Sequence, residues 1–353
     1  MMVSASSQLI LCRLFMRPLG LLFLIPLYAT VMWSCVPLQP SVAPPTEQYT
    51  HRRAAHLGDF VAVIVQRGDT FSSLAKTYLG DPSKDWLISE FNGGPTLSPG
   101  QELIIPLKDF NKGGLSLTGY QTVPVLCYHK FSKTESDPMT VTEKDFEDQM
   151  KFLREKGYRV ITTAEFFDFV EFKRQLPGKS VLITIDDGWR STYEIAFPIL
   201  RKYHYPSTLF LYTDLISGTR STLDWDLVKE MAENGVDIQC HTVSHRSLIK
   251  AAGQGSFKEY FDFLCRELGD SAQIIKKKLN IEVKYLAYPY GDTSPLVVAV
   301  LQKLGYRGAF TVERGSSPFF VQPYRINRSM IYGDFDLDDF ERNLTFFRGK
   351  GSN

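Results

Sequence analysis

From Val123 onward, short apolar runs alternate along the chain with segments that have a helical hydrophobic period. The apolar runs have the length of buried strands and lie at 125–128, 158–162, 181–185, 207–212, 236–240, 284–288, 308–312 and near 328–331. Helical patterns lie between them and stop near glycines, as at 146–155, 227–234 and 296–304. This alternation implies parallel strands joined by helices. The sequence therefore predicts an α/β fold, a distorted (β/α) barrel of about seven strands.

The first 35 residues have the pattern of an export signal. Arg13 and Arg17 form a basic start, and the apolar run 19–33 that follows is short for a transmembrane helix. Ser34-Cys35 resembles the end of a bacterial lipoprotein signal, in which the cysteine is acylated. We expect an exported protein of the cell envelope, periplasmic or extracellular, whose membrane contact is limited to the signal or a lipid on Cys35.

A small module is predicted between two linkers, 36–58 and 108–122. Within 59–107 the pattern predicts a strand, two helices and a strand, at 61–65, 70–78, 84–91 and 102–106. The stretches Val65-Gln-Arg-Gly-Asp-Thr-Phe-Ser-Ser-Leu-Ala and Leu97-Ser-Pro-Gly-Gln-Glu-Leu-Ile-Ile-Pro closely resemble a LysM module. That resemblance implies a βααβ domain that binds N-acetylglucosamine-containing glycans. A structural domain that has lost glycan binding is the alternative.

Charge and cysteine content exclude several classes of function. Lysine and arginine total 40 against 39 aspartate and glutamate, for a formal net charge of +1, and the basic residues are dispersed. We therefore expect no nucleic-acid partner. The five cysteines include no CxxC pair, which argues against a disulfide framework or a zinc knuckle.

Two motifs place polar side chains directly after apolar runs. Asp186-Asp187-Gly188 closes one run, and His241-Thr-Val-Ser-His245 closes another. Adjacent carboxylates at the end of a buried strand are costly unless a cation or hydrogen bonds compensate. One free carboxylate, one ligating carboxylate and two imidazoles are enough for a single-metal hydrolytic site.

A third motif, Tyr288-Pro289-Tyr290-Gly291, follows these two. The three motifs together, in this order, resemble the polysaccharide deacetylases of the NodB-homology family. The resemblance covers about 123–332 and implies a deacetylase domain over 123–350. An acetamide is a poor electrophile, so its hydrolysis needs a metal to polarise the carbonyl and activate water.

The resemblance also implies roles for individual residues. Asp187, His241 and His245 would ligate one divalent metal, with zinc first among the candidate transition metals. Asp186 would be the general base, and the backbone N–H of Tyr290 would help to hold the oxyanion.

The chain departs from the family pattern at two points. Many members have an arginine at the position of Ala287, and many have a late histidine as general acid, whereas no histidine follows His245 here. The segment Pro124-Val-Leu-Cys-Tyr-His129 resembles the branch that deacetylates β-1,6-linked poly-N-acetylglucosamine, whose motif order is circularly permuted. By that resemblance His129 is the general acid. A buried structural histidine is the alternative.

Four further side chains are candidates for contact with the substrate or the site. Trp225 and Tyr288 could stack on sugar rings, although core packing is an equal alternative for both. Arg325 and Arg328 flank a late strand and could fix a carboxylate in the site.

We therefore predict an exported, metal-dependent N-deacetylase of a GlcNAc-containing polysaccharide. Peptidoglycan, a chitin-like polymer and an exopolysaccharide all remain open as its substrate. A non-catalytic glycan-binding envelope protein, whose barrel domain has lost deacetylase activity, is the first alternative. An Fe(II) oxygenase is the second, because two histidines and one carboxylate also form its metal triad.

Overall fold

The computed structural model describes residues 54–94, 96–249 and 255–349, all of which belong to one compact unit, His51–Asn353. The predicted export signal 1–35, Cys35 and most of the first linker lie outside the described residues. Within the described ranges, no helix combines the length and apolar character needed to cross a membrane.

The N-terminal part of the described chain is a three-stranded antiparallel sheet packed against two helices. Its elements are β1 (Ala54–Leu57), β2 (Phe60–Ile64), α1 (Phe71–Leu79), α2 (Asp85–Phe91) and β3 (Glu102–Pro106), with sheet order β1-β2-β3. Thr70 and Ser73 form a capping box at the start of α1, and Gly80 ends the helix with a φ of 72°. The four predicted elements are present, and β1 is an additional edge strand.

The remaining chain alternates strands and helices, as the hydrophobic pattern predicts. Up to the acidic motif, the elements are β4 (Gly119–Gln121), β5 (Val123–Tyr128), β6 (Lys130–Ser132), β7 (Thr140–Thr142), α3 (Glu143–Glu155), β8 (Arg159–Ile161), α4 (Thr163–Val170) and β9 (Ser180–Asp187), whose last two residues are the two aspartates. The elements that follow are α5 (Phe197–Tyr203), β10 (Ser207–Leu211), α6 (Trp225–Glu233), β11 (Val236–Cys240), α7 (Phe257–Cys265), α8 (Ser271–Leu279), β12 (Tyr285–Ala287), α9 (Pro295–Lys303), β13 (Gly308–Phe310), β14 (Ser316–Ser317), β15 (Ser329–Met330), α10 (Leu337–Glu341) and β16 (Phe347–Gly349).

Six parallel strands form the centre of one curled sheet, in the order β13-β12-β11-β10-β9-β5. The segment 326–330 contacts both edges of this series. Ile326 bridges to Phe310 of β13, and β15 pairs in parallel with β5, with Ser329 opposite Leu126. The predicted α/β class is confirmed, and the sheet is a curled half-barrel.

The pleat of β9 decides which of its side chains face the barrel interior. Leu182 packs in an interior cluster that includes Phe166 of α4 and Phe310 of β13. Because successive side chains of a strand point to opposite faces, Thr184 and Asp186 lie on the same face as Leu182. The carboxylate of Asp186 is therefore directed into a protein interior, where it needs a compensating partner.

The N-terminal sheet unit packs against the amino-terminal ends of the barrel strands. Arg159 at the start of β8 forms a salt bridge with Asp85 at the start of α2. The backbone N–H of Gly178, just before β9, donates to Glu90 Oε1 over 2.7 Å. These contacts lie at the opposite end of the parallel strands from their carboxyl termini.

Candidate active site

The motif residues meet at the carboxyl ends of neighbouring parallel strands. Asp186 and Asp187 are the last two residues of β9, His241 follows β11, and Tyr290 follows β12. His129 directly follows β5, which pairs with β9. Parallel strands bring their carboxyl ends to one edge of a sheet, and this edge is where α/β proteins build their sites.

Asp187, His241 and His245 converge on a common point. The Oδ1 atom of Asp187 lies 3.7 Å from Nε2 of His241 and 3.6 Å from Nε2 of His245. The ligand atoms of the three residues all lie within 4.8 Å of one another. This arrangement is a possible three-ligand metal site with His₂Asp composition, which leaves room for water or substrate.

The ring of His241 is fixed in the orientation that a metal ligand requires. Its Nδ1 atom lies 2.7 Å from the carbonyl oxygen of Ala287, so Nδ1 carries the proton and donates it. Burial lowers the pKa of His241 to about 4, which outweighs the opposite effect of Asp186 and Asp187. The ring is therefore neutral at pH 7, and the lone pair of Nε2 faces Asp187.

Two buried atoms in this triad have no hydrogen-bond partner among the described residues. They are Oδ1 of Asp187 and Nε2 of His241, which face each other. The other carboxylate oxygen of Asp187 accepts a hydrogen bond from the indole Nε1–H of Trp189 over 2.8 Å. An unpartnered acceptor pair of this kind is costly in a protein interior, and a divalent cation between the two atoms would satisfy both.

Asp186 is separate from the triad and is held by Arg328. The guanidinium donates two hydrogen bonds of 2.7 Å each, from Nη1 to Oδ1 and from Nη2 to Oδ2. Burial alone would raise the pKa of the Asp186 carboxyl, but the charge of Arg328 and the hydrogen bonds that it donates outweigh burial and hold the pKa well below its ordinary value. Asp186 is consequently ionised at every pH at which the protein would work.

Of the two late arginines, only Arg328 fixes a carboxylate in the site. Its side chain is 0% exposed, and its Nε–H also donates to the carbonyl of Thr311 over 2.9 Å. Arg325 is 56% exposed and lies 3.8 Å from Glu313, on the surface. Arg328 thus supplies, from the segment before β15, the positive charge that Ala287 cannot supply.

His129 lies beside the Asp186 carboxylate. Ligand atoms of Cys127, His129 and Asp186 all lie within 4.8 Å of one another. Burial lowers the pKa of His129, and the negative charges of Asp186 and Asp187 act in the opposite direction. The sequence-based assignment of His129 to this edge of the sheet agrees with its position, and its role as general acid remains a prediction.

The site loops contain four residues with left-handed backbone conformations. Asp187 has a φ of 80°, Thr242 of 73°, His245 of 58° and Tyr290 of 60°. Each such conformation costs a non-glycine residue of the order of 1–3 kcal/mol. All four belong to the three sequence motifs, which therefore hold half of the eight left-handed non-glycine residues in the described part of the chain.

The histidine loop is anchored by a carboxylate that the sequence motifs do not include. Glu267, which is buried, accepts hydrogen bonds from the backbone N–H groups of Val243 and Ser244 over 3.1 and 2.9 Å. It also accepts a third from the Ser244 hydroxyl over 2.7 Å. Glu267 lies in a π-helical turn, Arg266–Asp270, between α7 and α8. No local pattern around Glu267 or Trp189 signals these contacts, which depend on the tertiary fold.

The two aromatic candidates lie in different environments. Tyr288 is fully buried, and its hydroxyl donates to the carbonyl of Tyr324 over 3.0 Å. A fully buried ring cannot stack on a sugar, so core packing describes Tyr288, and the stacking hypothesis is wrong for this residue. Trp225 is the first residue of α6 and is partly buried against the core, with Lys278 Nζ 5.7 Å from its ring centroid. Stacking by Trp225 remains a prediction.

Comparison with known proteins identifies relatives of this chain. The polysaccharide deacetylase family profile matches residues 173–309, which include the acidic motif and both histidines. YxkH of Bacillus subtilis, whose name assigns it to the polysaccharide deacetylases, is 30% identical over 209 residues, or 59% of this chain and 71% of YxkH. The poly-β-1,6-N-acetyl-D-glucosamine N-deacetylase of Staphylococcus epidermidis is 29% identical over 200 residues, covering 55% of this chain and 69% of that enzyme.

Solved structures agree with this relationship. The Streptococcus pyogenes deacetylase PplD, solved in complex with acetate, has a TM-score of 0.57 and 25% identity over 64% of this chain and 99% of PplD. IcaB from Ammonifex degensii has the same fold, with a TM-score of 0.56 and 24% identity over 64% of this chain and 98% of IcaB. The extent of the match to YxkH, together with the family profile, shows that this chain belongs to the polysaccharide deacetylase family.

Proposed function

We propose that this protein is a metal-dependent hydrolase that removes N-acetyl groups from a GlcNAc-containing polysaccharide. The observation that carries the proposal is the unpartnered pair formed by Asp187 Oδ1 and His241 Nε2, 3.7 Å apart and completed by His245. Beside it lies a second carboxylate, Asp186, that is fixed by Arg328 and not by the triad. Imidazole and carboxylate ligands suit zinc first and other divalent transition metals next.

The residues around the triad have the properties that amide hydrolysis requires. Asp187, His241 and His245 would hold the cation, which would supply Lewis-acid polarisation of the acetamide carbonyl and activation of water. Asp186 is held ionised, so it can accept a proton from the attacking water. The backbone N–H of Tyr290, on a turn next to His245, would donate to the developing oxyanion.

His129 is the proposed general acid for the leaving amine. It lies beside Asp186 at the carboxyl end of β5. Burial lowers its pKa, which makes the imidazolium a stronger acid than free imidazolium and favours proton transfer to an amine. The charges of Asp186 and Asp187 favour the protonated ring and oppose the effect of burial.

Relatives support the substrate class. The Staphylococcus epidermidis relative is named as a deacetylase of poly-β-1,6-N-acetyl-D-glucosamine. We propose a GlcNAc-containing polymer for this chain on that basis, with peptidoglycan, a chitin-like polymer and an exopolysaccharide as the candidates.

We further propose that residues 59–107 form a LysM module that binds the same class of polymer. The two helices and two strands expected for such a module occur within this range, at α1, α2, β2 and β3. Export through the signal at 1–35, with acylation of Cys35 as an added anchor, would bring the protein to an envelope polysaccharide. Binding of the purified protein to insoluble chitin and peptidoglycan tests the module.

The central experiment compares wild-type protein with the Asp186→Asn variant. Acetate release from N-acetylglucosamine oligomers should fall at least about 100-fold, since the base is lost. Zinc content should remain near wild type, because Asp186 is not a triad member. Asp226→Asn, on the exposed face of α6, is the matched control and should retain activity.

The outcomes of this experiment separate the rival functions. Full metal content without acetate release from any glycan by wild-type protein would favour the non-catalytic glycan-binding protein. Turnover that requires oxygen would favour the Fe(II) oxygenase, whereas anaerobic acetate release excludes it.

A further inference from the structure

The two histidines of the triad are held in different ways. His241 is fixed by a hydrogen bond, because its Nδ1 lies 2.7 Å from the carbonyl oxygen of Ala287. For His245, no hydrogen bond to either ring nitrogen occurs among the described residues, although Nε2 lies 3.6 Å from Asp187 Oδ1. The last torsion of a histidine side chain is broad, so a ring without a hydrogen bond turns easily. His245 therefore needs another restraint if the triad is to be formed before a metal binds.

Aromatic rings around His245 supply such a restraint. The ring centroid of Tyr212 lies 5.1 Å from that of His245, with an angle of 46° between the ring planes. The ring of Tyr290 lies 4.9 Å away at 69°, and the ring of His241 lies 4.7 Å away at 70°. These distances and tilts are those of favourable contacts between rings. Packing against three rings restricts the rotation of His245.

The segment that carries Tyr212 is bonded to the histidine loop. Tyr212 directly follows β10, and the next two residues donate backbone hydrogen bonds to the loop. The N–H of Thr213 donates to the carbonyl of Thr242 over 3.2 Å, and the N–H of Asp214 donates to the carbonyl of Val243 over 2.9 Å. The position of the Tyr212 ring is therefore set by the same backbone contacts that position the loop.

Tyr212 acts on His245 through its ring and not through its hydroxyl. In the described part of the chain, the Tyr212 hydroxyl has no hydrogen-bond partner. The side chain is partly buried, whereas Tyr290 is 61% exposed and is held less firmly by its surroundings. A phenylalanine at position 212 would keep the contact with His245, and an aliphatic side chain would remove it.

We propose that Tyr212 is a positioning residue, whose ring orients the metal ligand His245. The inference rests on the proposed function, since it concerns the metal triad of the same site. In the metal-free protein, the ring contact keeps Nε2 of His245 directed toward Asp187. Less conformational freedom is then lost when the metal binds, so Tyr212 increases metal affinity without touching the metal.

The experiment titrates the full-length protein, freed of metal by a chelator, with Co(II) and follows the visible absorption. Tyr212→Leu should weaken Co(II) binding about tenfold, as expected when a ligand loses its supporting group. Tyr212→Phe should bind within about twofold of wild type, because it retains the ring. Tyr212→Met is a second variant without a ring and should show the same loss, which provides the test if the leucine variant does not fold.

Tyr205→Leu is the matched control. Tyr205 lies at the amino end of the same strand, partly buried against the core, with its ring 5.7 Å from that of Tyr203. Its replacement should lower stability in urea and leave the Co(II) affinity at the wild-type value. Wild-type affinity in Tyr212→Leu and Tyr212→Met would overturn the proposal, as would an equal loss of affinity in Tyr212→Phe. Failure of the wild-type protein to bind Co(II) would instead refute the proposed metal-dependent function.

Discussion

The guanidinium of Arg328 and the carboxylate of Asp186 form a buried bidentate pair, with two hydrogen bonds of 2.7 Å inside the barrel. The two residues are 142 positions apart in the sequence, and both side chains are almost completely inaccessible to water. A bidentate pair fixes the orientation of the carboxylate as well as its charge. The geometry of the proposed base therefore depends on a residue outside the three motifs.

Replacing Arg328 by Met should abolish acetate release and destabilise the fold. The change leaves the Asp186 charge buried without its partner, which costs about 3–5 kcal/mol in the free energy of unfolding. Urea unfolding at pH 7 measures the loss. Arg325→Met is the matched control, because its exposed side chain should contribute less than about 0.5 kcal/mol. Equal stability of the two variants would contradict the proposed importance of the buried pair.

Zinc should stabilise the protein against thermal unfolding through the triad. A ligand that binds only the folded state at about 100 times its Kd adds about 2.7 kcal/mol. His241→Gln should lose this stabilisation, because it removes a ligating nitrogen that Ala287 keeps in place.

The control for the zinc experiment is His204→Asn. His204 ends α5 with a φ of 57°, a conformation that Asn tolerates, and it is remote from the motifs in sequence. This variant should show the wild-type increase in Tm with zinc. A shift that persists in His241→Gln would place the metal elsewhere.

Glu267 should act on metal affinity through the histidine loop. Glu267→Ala removes the acceptor for three hydrogen bonds that hold Val243 and Ser244. Loss of such a supporting group weakens metal binding by about 10- to 100-fold. Titration with Co(II), followed by its visible absorption, measures the affinity directly. Glu267→Gln should restore part of it, and the exposed Glu155→Gln should not change it.

The partly buried ion pair between Arg307 and Glu171 should make the free energy of unfolding depend on pH. Hydrogen bonds from Arg307 lower the pKa of Glu171 from 4.5 to about 2. Because the folded-state pKa is depressed, the stabilisation is complete above pH 4.5 and is lost as the pH falls toward 2. Arg307→Met should cost about 2 kcal/mol at pH 6 and progressively less below pH 4. Urea unfolding of both proteins across this range provides the test, and a constant difference would refute the assignment.

The hydrophobic pattern predicted the long strands because they are buried on both sides. In β9, residues 181–185 are fully or almost fully buried, so they form a continuous apolar run in the sequence. Short edge strands such as β14, with only two residues, have no such run and could not be predicted. Their pairing is decided by the strands beside them, as when Ser316 pairs with Pro124.

The motifs predicted which residues meet at the site, but not the hydrogen-bond partners that fix their positions. Asp187, His241 and His245 converge because Asp187 ends β9 and both histidines follow β11, another parallel strand of the same sheet. The partners of these residues, such as Trp189 and Glu267, are set by contacts across the fold. Sequence spacing carries no information on such contacts, and for the same reason it could not separate Arg325 from Arg328.

The contact of the N-terminal unit with the start of β9 sets a separation along the polymer. The seven residue steps from Ser180 to Asp187 span roughly 23 Å at about 3.3 Å per residue. A sugar chain held by the N-terminal unit would thus be gripped on the far side of the barrel from the acetamide being cut. The protein would bind one part of the polymer while it deacetylates another. Glycan binding by the N-terminal unit would then set the residence time on the polymer and would not change the rate of each hydrolytic step.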